Sequence, residues 1–223
     1  MSVPVITVDG PSASGKGTVA RRVADALRFH YLESGALYRL VALVSLRQGI
    51  PPDDERRLEA VARTLDVRFV DGSVVLDNQD VTADLYSEAC GLRASEVAPL
   101  PGVRKALLSR QRAFRSPPGL VADGRDMGTV VFPDAALKVF LTASPAVRAG
   151  RRYNQLIGKG IHATLPTLSR ELEARDARDA SRAVAPLAAA ADAVQLDSSE
   201  LSIEEVVGRI LGWWRERGVR EST

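Results

Sequence analysis

The residues with the most definite chemistry lie near the amino terminus. A short run of apolar, mostly β-branched residues, 2–8, leads into a segment with the spacing Gly-x4-Gly-Lys, and a helical pattern follows at 18–27. The glycines allow backbone N–H groups to face phosphate oxygens, while the lysine and the amino end of the helix add positive charge. A strand before the motif and a helix after it are the context that a phosphate-binding loop requires. The sequence predicts such a loop from Gly10, Pro11, Ser12, Ala13, Ser14, Gly15, Lys16, Gly17 and Thr18.

This loop departs from the strict motif at one position. Lys16 is followed by Gly17, where the strict motif has serine or threonine, and the hydroxyl group comes one residue later, at Thr18. We therefore expect Thr18 to serve a bound Mg²⁺ ion, less directly than in the strict motif.

Arginine supplies most of the positive charge. Four of the 30 basic residues are lysine, which leaves 26 arginines, and two groups of them follow helical spacing: Arg175, Arg178 and Arg182, and Arg148, Arg151 and Arg152. Guanidinium groups bind phosphate bidentately, and phosphoryl transfer depends on positioning and on neutralising charge. A solvated charged face, paired with nearby carboxylates, would show the same spacing. For the Arg148 group both interpretations stay open.

Composition and patterning define the class of protein. The chain has 223 residues, 45% of them apolar and 26% charged, with a formal net charge of +2, which is typical of a globular domain and not of a disordered chain. The lone cysteine, Cys90, excludes an intrachain disulfide. The chain has no secretory pattern at its start and no apolar run near the ~18 residues of a membrane span, so we expect a soluble cytoplasmic protein. A net charge near zero and 5% aromatic residues argue against an RNA-binding module.

Apolar patterns alternate between strand and helix along the chain. Strands are predicted at 2–8, 120–122, 139–141 and 193–196, and helices at 18–27, 34–48, 55–65, 87–97, 103–114, 145–156, 167–180 and 203–217. Such alternation is typical of an α/β fold with a wound, parallel sheet. Short β-branched runs separated by Asp-Gly and Asp-Asn turns predict a small antiparallel insert at 67–81.

Three further segments carry a family resemblance. LESGALYR at 32–39, ADGRDMGTVVFPDA at 122–135 and RDARDASRAVAPL at 175–187, together with GKGT at 15–18, resemble the bacterial-type cytidylate kinases, which are nucleoside monophosphate kinases of the P-loop class. The resemblance extends from about residue 5 to 211. It implies a three-layer α/β sandwich with a central parallel sheet, a small antiparallel insert in the monophosphate-binding region and a short helical lid. The implied divisions are a core (about 1–35, 102–150 and 184–223), a monophosphate-binding region (36–101) and a lid (151–183).

The resemblance also implies the reaction. A cytidylate kinase transfers the γ-phosphoryl group of ATP to CMP or dCMP, giving CDP or dCDP and ADP, with Mg²⁺, in pyrimidine nucleotide metabolism. We expect a monomer whose partners are these nucleotides, with no nucleic-acid or membrane partner. A kinase of the same fold that acts on UMP or another small acceptor is the nearest alternative. A guanine-nucleotide switch is disfavoured because no lysine here follows asparagine, as an Asn-Lys-x-Asp motif requires.

Site residues follow from the resemblance, position by position. It implies catalytic roles for Lys16, Arg175, Arg178 and Arg182, and acceptor contacts by Ser34, Arg39, Ser95, Arg104, Arg125, Asp126, Arg175, Asp179 and Arg182. Cytosine offers an amino donor beside ring acceptors, so an aspartate and an arginine, Asp126 and Arg104, complement it, whereas uracil would oppose them. Asp126 could instead be a turn residue. Two departures from the family pattern, around Tyr86 and at Arg93, bear on where Ser95 lies. The segment Leu85-Tyr86-Ser87 replaces an Arg-Thr pair common in the family, and Arg93 occupies a position where small residues are usual.

Overall fold

The computed structural model describes residues 3–70, 72–158, 160–181 and 184–218. Its strands are β1 Val5–Asp9, β2 His30–Glu33, β3 Val67–Val70, β4 Ser73–Leu76, β5 Gln79–Asp80, β6 Leu120–Gly124, β7 Leu137–Thr142 and β8 Val194–Asp197. Its helices are α1 Lys16–Leu27, α2 Ser34–Arg47, α3 Glu55–Thr64, α4 Thr82–Leu85, α5 Glu88–Val97, α6 Pro101–Ala113, α7 Pro145–Ile157, α8 Leu165–Ala180 and α9 Ile203–Glu216. A π-helical turn, Met127–Val131, follows β6.

The chain forms two compact units. One contains the chain up to Leu32 and from Phe114 onward, and the other is Glu33–Ala113. The first unit contains the phosphate-loop segment, the α7–α8 pair and the sheet with strand order β2-β6-β1-β7-β8. The second contains α2 to α6 and the three-stranded sheet β3-β4-β5.

The larger sheet places strand β1 at its centre. β1 pairs in parallel with β6 on one side and β7 on the other, and β7 pairs in parallel with β8. All five residues of β1 are buried, as expected for a strand covered on both faces. The register aligns Asp9 with Gly124 at the carboxyl ends of the strands, the edge at which open α/β sheets bind ligands.

An apolar cluster packs against this sheet. It joins Ile6 and Val8 of β1 to buried residues of α1, β6, β7 and α9. Trp214 packs edge-on against Phe29, with ring centroids 5.7 Å apart, and partly buried Trp213 borders the same cluster. Both tryptophans therefore pack against the core.

The second unit is organised around helix pairs and the insert. α2 packs against α5, and α3 packs against α6. β3 and β4 form an antiparallel hairpin, extended by the two-residue strand β5. The predicted antiparallel insert and the parallel central sheet are both confirmed.

Some elements escaped prediction. The structure adds β2, β5, α4 and the π-helical turn, each of which is five residues or shorter and too short for a hydrophobic period to show. Helix α1 also begins at Lys16, two residues before the predicted start, and so includes Gly17, although glycine has a low helix propensity. None of the helices in the described residues combines the length and apolar character needed to span a bilayer.

Candidate active site

The loop between β1 and α1 adopts a conformation that depends on glycine. Gly10 has φ +156°, and a Cβ added to it would lie 2.1 Å from the carbonyl oxygen of Leu141. Gly15, with φ +90°, caps the amino end of α1. Residues with side chains rarely adopt these angles, so the two glycines define the winding of the loop.

Arginine side chains hold three carbonyl groups of this loop. The guanidinium groups of Arg125, Arg148 and Arg151 donate through Nη1 to the carbonyl oxygens of Gly10 (2.8 Å), Ser12 (3.3 Å) and Ser14 (2.8 Å), respectively. Carbonyl oxygens would repel a phosphate group, so pairing them with arginine suits a loop that presents N–H groups to an anion.

Lys16 lies at the junction of loop and helix. Its Nζ donates to the Pro11 carbonyl oxygen at 3.1 Å, and the side chain is half-buried. Burial, followed by the positive charge of Arg125, lowers the pKa of Lys16 to about 7, although the Asp123 carboxylate acts in the opposite direction. A bound phosphate would supply the negative charge that favours the protonated lysine.

Asp9, at the carboxyl end of β1, anchors the turn after β6. Its carboxylate accepts hydrogen bonds from the backbone N–H groups of Met127 (2.9 Å) and Gly128 (2.8 Å). Burial raises the pKa of Asp9 to about 7, against the lowering effect of these two bonds. Sequence reasoning missed this role; the available signal was a carboxylate at the end of a buried apolar strand. Asp126 is buried and directly precedes the first of the two anchored N–H groups.

A second buried carboxylate, Asp123, faces the start of α1. The Tyr31 hydroxyl donates to its Oδ2 at 2.6 Å, and a Cβ added to Gly17 would lie 3.8 Å from the same oxygen. Thr18 is exposed. In the part of the chain that the structure describes, no three His, Cys, Asp or Glu side chains gather into a metal-binding group. Asp123 is thus a candidate Mg²⁺ ligand that the sequence analysis did not name.

The α8 arginines do not share one environment. Arg175 is half-buried and Arg178 is exposed, while Asp179 is buried and binds Arg125 Nε at 2.8 Å. α8 ends at Ala180, before Arg182, which lies outside the described residues. Arg175 and Arg178 lie one turn apart on α8, as their spacing predicts, but differ in burial. That all three guanidinium groups share one helical face stays a prediction, because Arg182 lies outside the described residues.

The open question about the Arg148 group is resolved residue by residue. Arg148 is buried and binds the loop, and Arg151 binds the loop and Ser198, with Nη2 2.7 Å from the Ser198 carbonyl oxygen. Arg152 donates to Gln155 on the same helix, at the surface. Two members of the group therefore support the phosphate loop, and the third belongs to the charged face of α7.

The remaining acceptor residues lie in the second unit. Ser34 is buried at the first position of α2. Arg39 donates to the Leu85 carbonyl oxygen at 3.0 Å, and Arg104 donates to that of Ala98 at 3.3 Å. The Ser95 hydroxyl donates to the carbonyl oxygen of Gly91, one turn earlier in the same helix, at 3.1 Å.

The two positions that differ from the family pattern each have a structural partner. The Tyr86 hydroxyl donates to Glu33 Oε2 at 2.7 Å, and the Arg39 guanidinium lies 5.7 Å from the Tyr86 ring centroid. Arg93 donates to the Ile50 carbonyl oxygen at 2.7 Å, beyond the end of α2. Arg93 is thus engaged away from the Ser95 hydroxyl, and Tyr86 contacts an expected phosphate-binding arginine.

Comparison with known proteins identifies the family. The family model described as cytidylate kinase matches residues 6–216. The chain belongs to the cytidylate kinase family. The cytidylate kinase of Bordetella bronchiseptica is 60% identical over 214 residues, covering 96% of each chain. That of Ralstonia pickettii is 58% identical over 216 residues, covering 97% of this chain and 94% of the relative.

Solved structures show the same fold outside the cytidylate kinase family. A gluconokinase from Sinorhizobium meliloti is similar with a TM-score of 0.50 and 18% identity, covering 97% of this chain and 94% of that one. At that identity the likeness concerns fold alone. The family resemblance and the fold class predicted from the sequence are confirmed.

Proposed function

We propose that this protein is an ATP-dependent cytidylate kinase. A phosphate oxygen of CMP or dCMP attacks the γ-phosphorus of ATP, the bond to the β-phosphate oxygen breaks, and CDP or dCDP and ADP leave. The observation that carries the proposal is the loop at 10–18, wound at the carboxyl end of β1, with arginine on its carbonyl groups and Lys16 beside it. The match to the family over 6–216 supports our assignment of this loop to the phosphates of ATP.

Catalysis requires little covalent chemistry from the protein. The acceptor is already an anionic phosphate, so the protein must align two anions and neutralise the charge on the transferred group. We assign the phosphates of ATP to the loop and Lys16. We propose that the charge developing on the transferred group is neutralised by Arg175, Arg178 and Arg182.

We assign the acceptor's phosphate to Arg39 and Arg125. Within the described residues, Arg125 uses three of its five N–H groups, on Asp179, Gly10 and Ser12. The other two suit an incoming phosphate. Arg125 would then hold the loop and the acceptor at once, which supports alignment of the two phosphates.

The base and pentose of the acceptor need hydrogen-bond acceptors opposite their donors and donors opposite their acceptors. We assign Asp126 to accept from the cytosine amino group and Arg104 to donate to the ring acceptors of cytosine. We also assign Ser34, Ser95 and Arg182 to the base. Arg175 and Asp179 serve the pentose hydroxyls. A uracil ring would set a carbonyl oxygen against a carboxylate, so CMP and dCMP are preferred over UMP.

Mg²⁺ is the metal that these residues suit. Hard cations take oxygen ligands, and the Asp123 carboxylate faces the start of α1, since a Cβ added to Gly17 would lie 3.8 Å from its Oδ2. Asp123 and Thr18 would hold the ion, directly or through water. When bound, Mg²⁺ neutralises charge on the phosphates that the loop carries.

We also propose how the chain is divided, where the protein is located and that it is a monomer. The division into core (about 1–35, 102–150 and 184–223), monophosphate-binding region (36–101) and lid (151–183) remains our working division of the chain. A cytoplasmic monomer acting on small nucleotides accords with these assignments.

The deciding experiment is an acceptor scan. ADP release from ATP and Mg²⁺ is measured with CMP, dCMP, UMP, AMP and GMP at equal concentration, against a control without acceptor. Turnover confined largely to CMP and dCMP is expected. Turnover led by another nucleotide would overturn the acceptor assignment and leave the phosphate loop. No turnover above the control would likewise overturn the acceptor assignment.

A further inference from the structure

Two carboxylates of α8, one helical turn apart, each bind an arginine that also contacts the phosphate loop. Asp179 binds Arg125, which donates to the Gly10 carbonyl oxygen and to the Ser12 hydroxyl (2.7 Å). Asp176 binds Arg148, at 2.5 Å from Nη1, and Arg148 donates to the Ser12 carbonyl oxygen. Ser12 therefore receives hydrogen bonds from both arginines, one on each of its oxygens.

Arg148 is held firmly enough to transmit position. Its side chain is only 6% exposed, and its Nε donates to the Ala143 carbonyl oxygen at 3.1 Å, just before α7. The guanidinium is planar, so one bond on Nε and two contacts at Nη1 restrict both its place and its plane. A movement of α8 that displaces Asp176 must therefore alter the hydrogen bond to Ser12 or break the ion pair.

The pair is poorly suited to stabilising the fold alone. Burying two charges costs solvation, which Coulombic attraction repays only when the other polar atoms are satisfied. Asp176 Oδ1 is buried and has no hydrogen-bonding partner among the described residues. A buried acceptor left unsatisfied lowers stability, so the arrangement is better explained by positioning.

We propose that Asp176 is a positioning residue for ATP, acting through Arg148 on Ser12 of the phosphate loop. Neither Asp176 nor Arg148 need touch the nucleotide. This inference rests on the proposed function in one respect, that the loop at 10–18 holds the phosphates of ATP. It makes loop geometry depend on α8, the helix that carries Arg175 and Asp179.

The test compares Asp176→Asn with Glu173→Gln, an exposed carboxylate on the same helix, and Arg148→Lys with Arg152→Lys, its surface neighbour on α7. We expect KM for ATP to rise about tenfold in Asp176→Asn and in Arg148→Lys, in the range shown by residues that act through another group. The KM for CMP and all constants of the two control variants should change less than about twofold.

Affinity for ADP without acceptor, measured by calorimetry, should weaken by a factor similar to that of KM for ATP. In the double variant Asp176→Asn, Arg148→Lys, the affinity for ADP should fall by less than the product of the two single factors. Both substitutions break the same series of contacts, from Asp176 through Arg148 to Ser12. Unchanged ADP affinity in folded single variants, even with a lowered melting temperature, would overturn the proposal. If Asp176→Asn does not fold, Arg148→Lys and Asp176→Glu carry the same test.

The ADP measurement also separates this inference from the proposed function. A protein whose affinity for ADP weakens in Asp176→Asn, but which does not phosphorylate CMP, would contradict the proposed acceptor and leave the positioning role intact. A protein that phosphorylates CMP, but whose KM for ATP is unchanged in Asp176→Asn, would contradict the positioning role and leave the proposed function intact.

Discussion

Asp179 and Arg125 form an ion pair that is largely buried from solvent. Asp179 Oδ2 lies 2.8 Å from Arg125 Nε, and the two side chains are 2% and 16% exposed, respectively. Removing one partner of such a pair leaves an uncompensated buried charge, which costs about 3–5 kcal/mol. We expect Asp179→Asn to lower the free energy of unfolding toward that range and to reduce turnover, because Arg125 also holds Gly10 and Ser12. Urea unfolding provides the stability measurement.

A surface pair is the control for Asp179→Asn. Arg22 and Glu204 form an ion pair with both side chains largely exposed, and such pairs contribute roughly 0–1 kcal/mol. Glu204→Gln should therefore leave both stability and turnover nearly unchanged. Equal losses in Asp179→Asn and Glu204→Gln would contradict a special role for the buried pair.

Lys16 carries the largest expected effect on rate. Replacing it with methionine keeps the apolar stem and removes the charge that faces the phosphates. We expect turnover to fall by at least about 100-fold, the usual loss for one preorganised donor, with the fold intact by circular dichroism. Lys105→Met, an exposed lysine on α6, is the control. A near-normal rate in Lys16→Met would exclude the phosphate-loop assignment.

The depressed pKa of Lys16 predicts proton uptake when ATP binds. With a pKa of about 7, roughly one Lys16 in ten is protonated at pH 8 without ligand. A bound triphosphate raises that pKa, so binding at pH 8 should take up most of a proton, and at pH 6 much less. Calorimetry in two buffers of different ionisation enthalpy measures the uptake. Lys16→Met should abolish it, and uptake that persists there would assign the proton to another group.

Asp126 is expected to govern selectivity more than rate. If its carboxylate accepts from the cytosine amino group, Asp126→Ala removes both that bond and the repulsion of the uracil carbonyl. The ratio of kcat/KM for CMP over UMP should then fall by about tenfold or more. Equal losses for both substrates would show that Asp126 only shapes the turn that Asp9 anchors.

Trp214 tests the core of the first unit. Its side chain is buried and meets the Phe29 ring edge-on. Trp214→Ala should cost about 3–5 kcal/mol in the free energy of unfolding, and Trp213→Ala, at a partly buried position, clearly less. Thermal unfolding of both variants measures the difference, and similar losses would contradict the deeper burial of Trp214.

The sequence alone determined the features that depend on neighbours along the chain. Glycine spacing, a β-branched run and a following helical period require no distant partner, so the loop at 10–18, its strand and its helix were predicted to within two or three residues. The same holds for the antiparallel insert, whose turns use local backbone preferences. The residues at 32–39, 122–135 and 175–187 carried the family resemblance for the same reason: each is a contiguous pattern.

Only the tertiary structure decided how the charged groups are used. Spacing placed Arg148, Arg151 and Arg152 on one helix but could not tell loop support from a solvated face. The outcome depends on Ser12, Ser14 and Gln155, of which the two serines lie more than 130 residues away along the chain. Asp9 and Asp176 escaped prediction on the same ground. A carboxylate acquires its role from the donors that folding brings to it and from the water that folding removes, and neither is recorded in its local sequence.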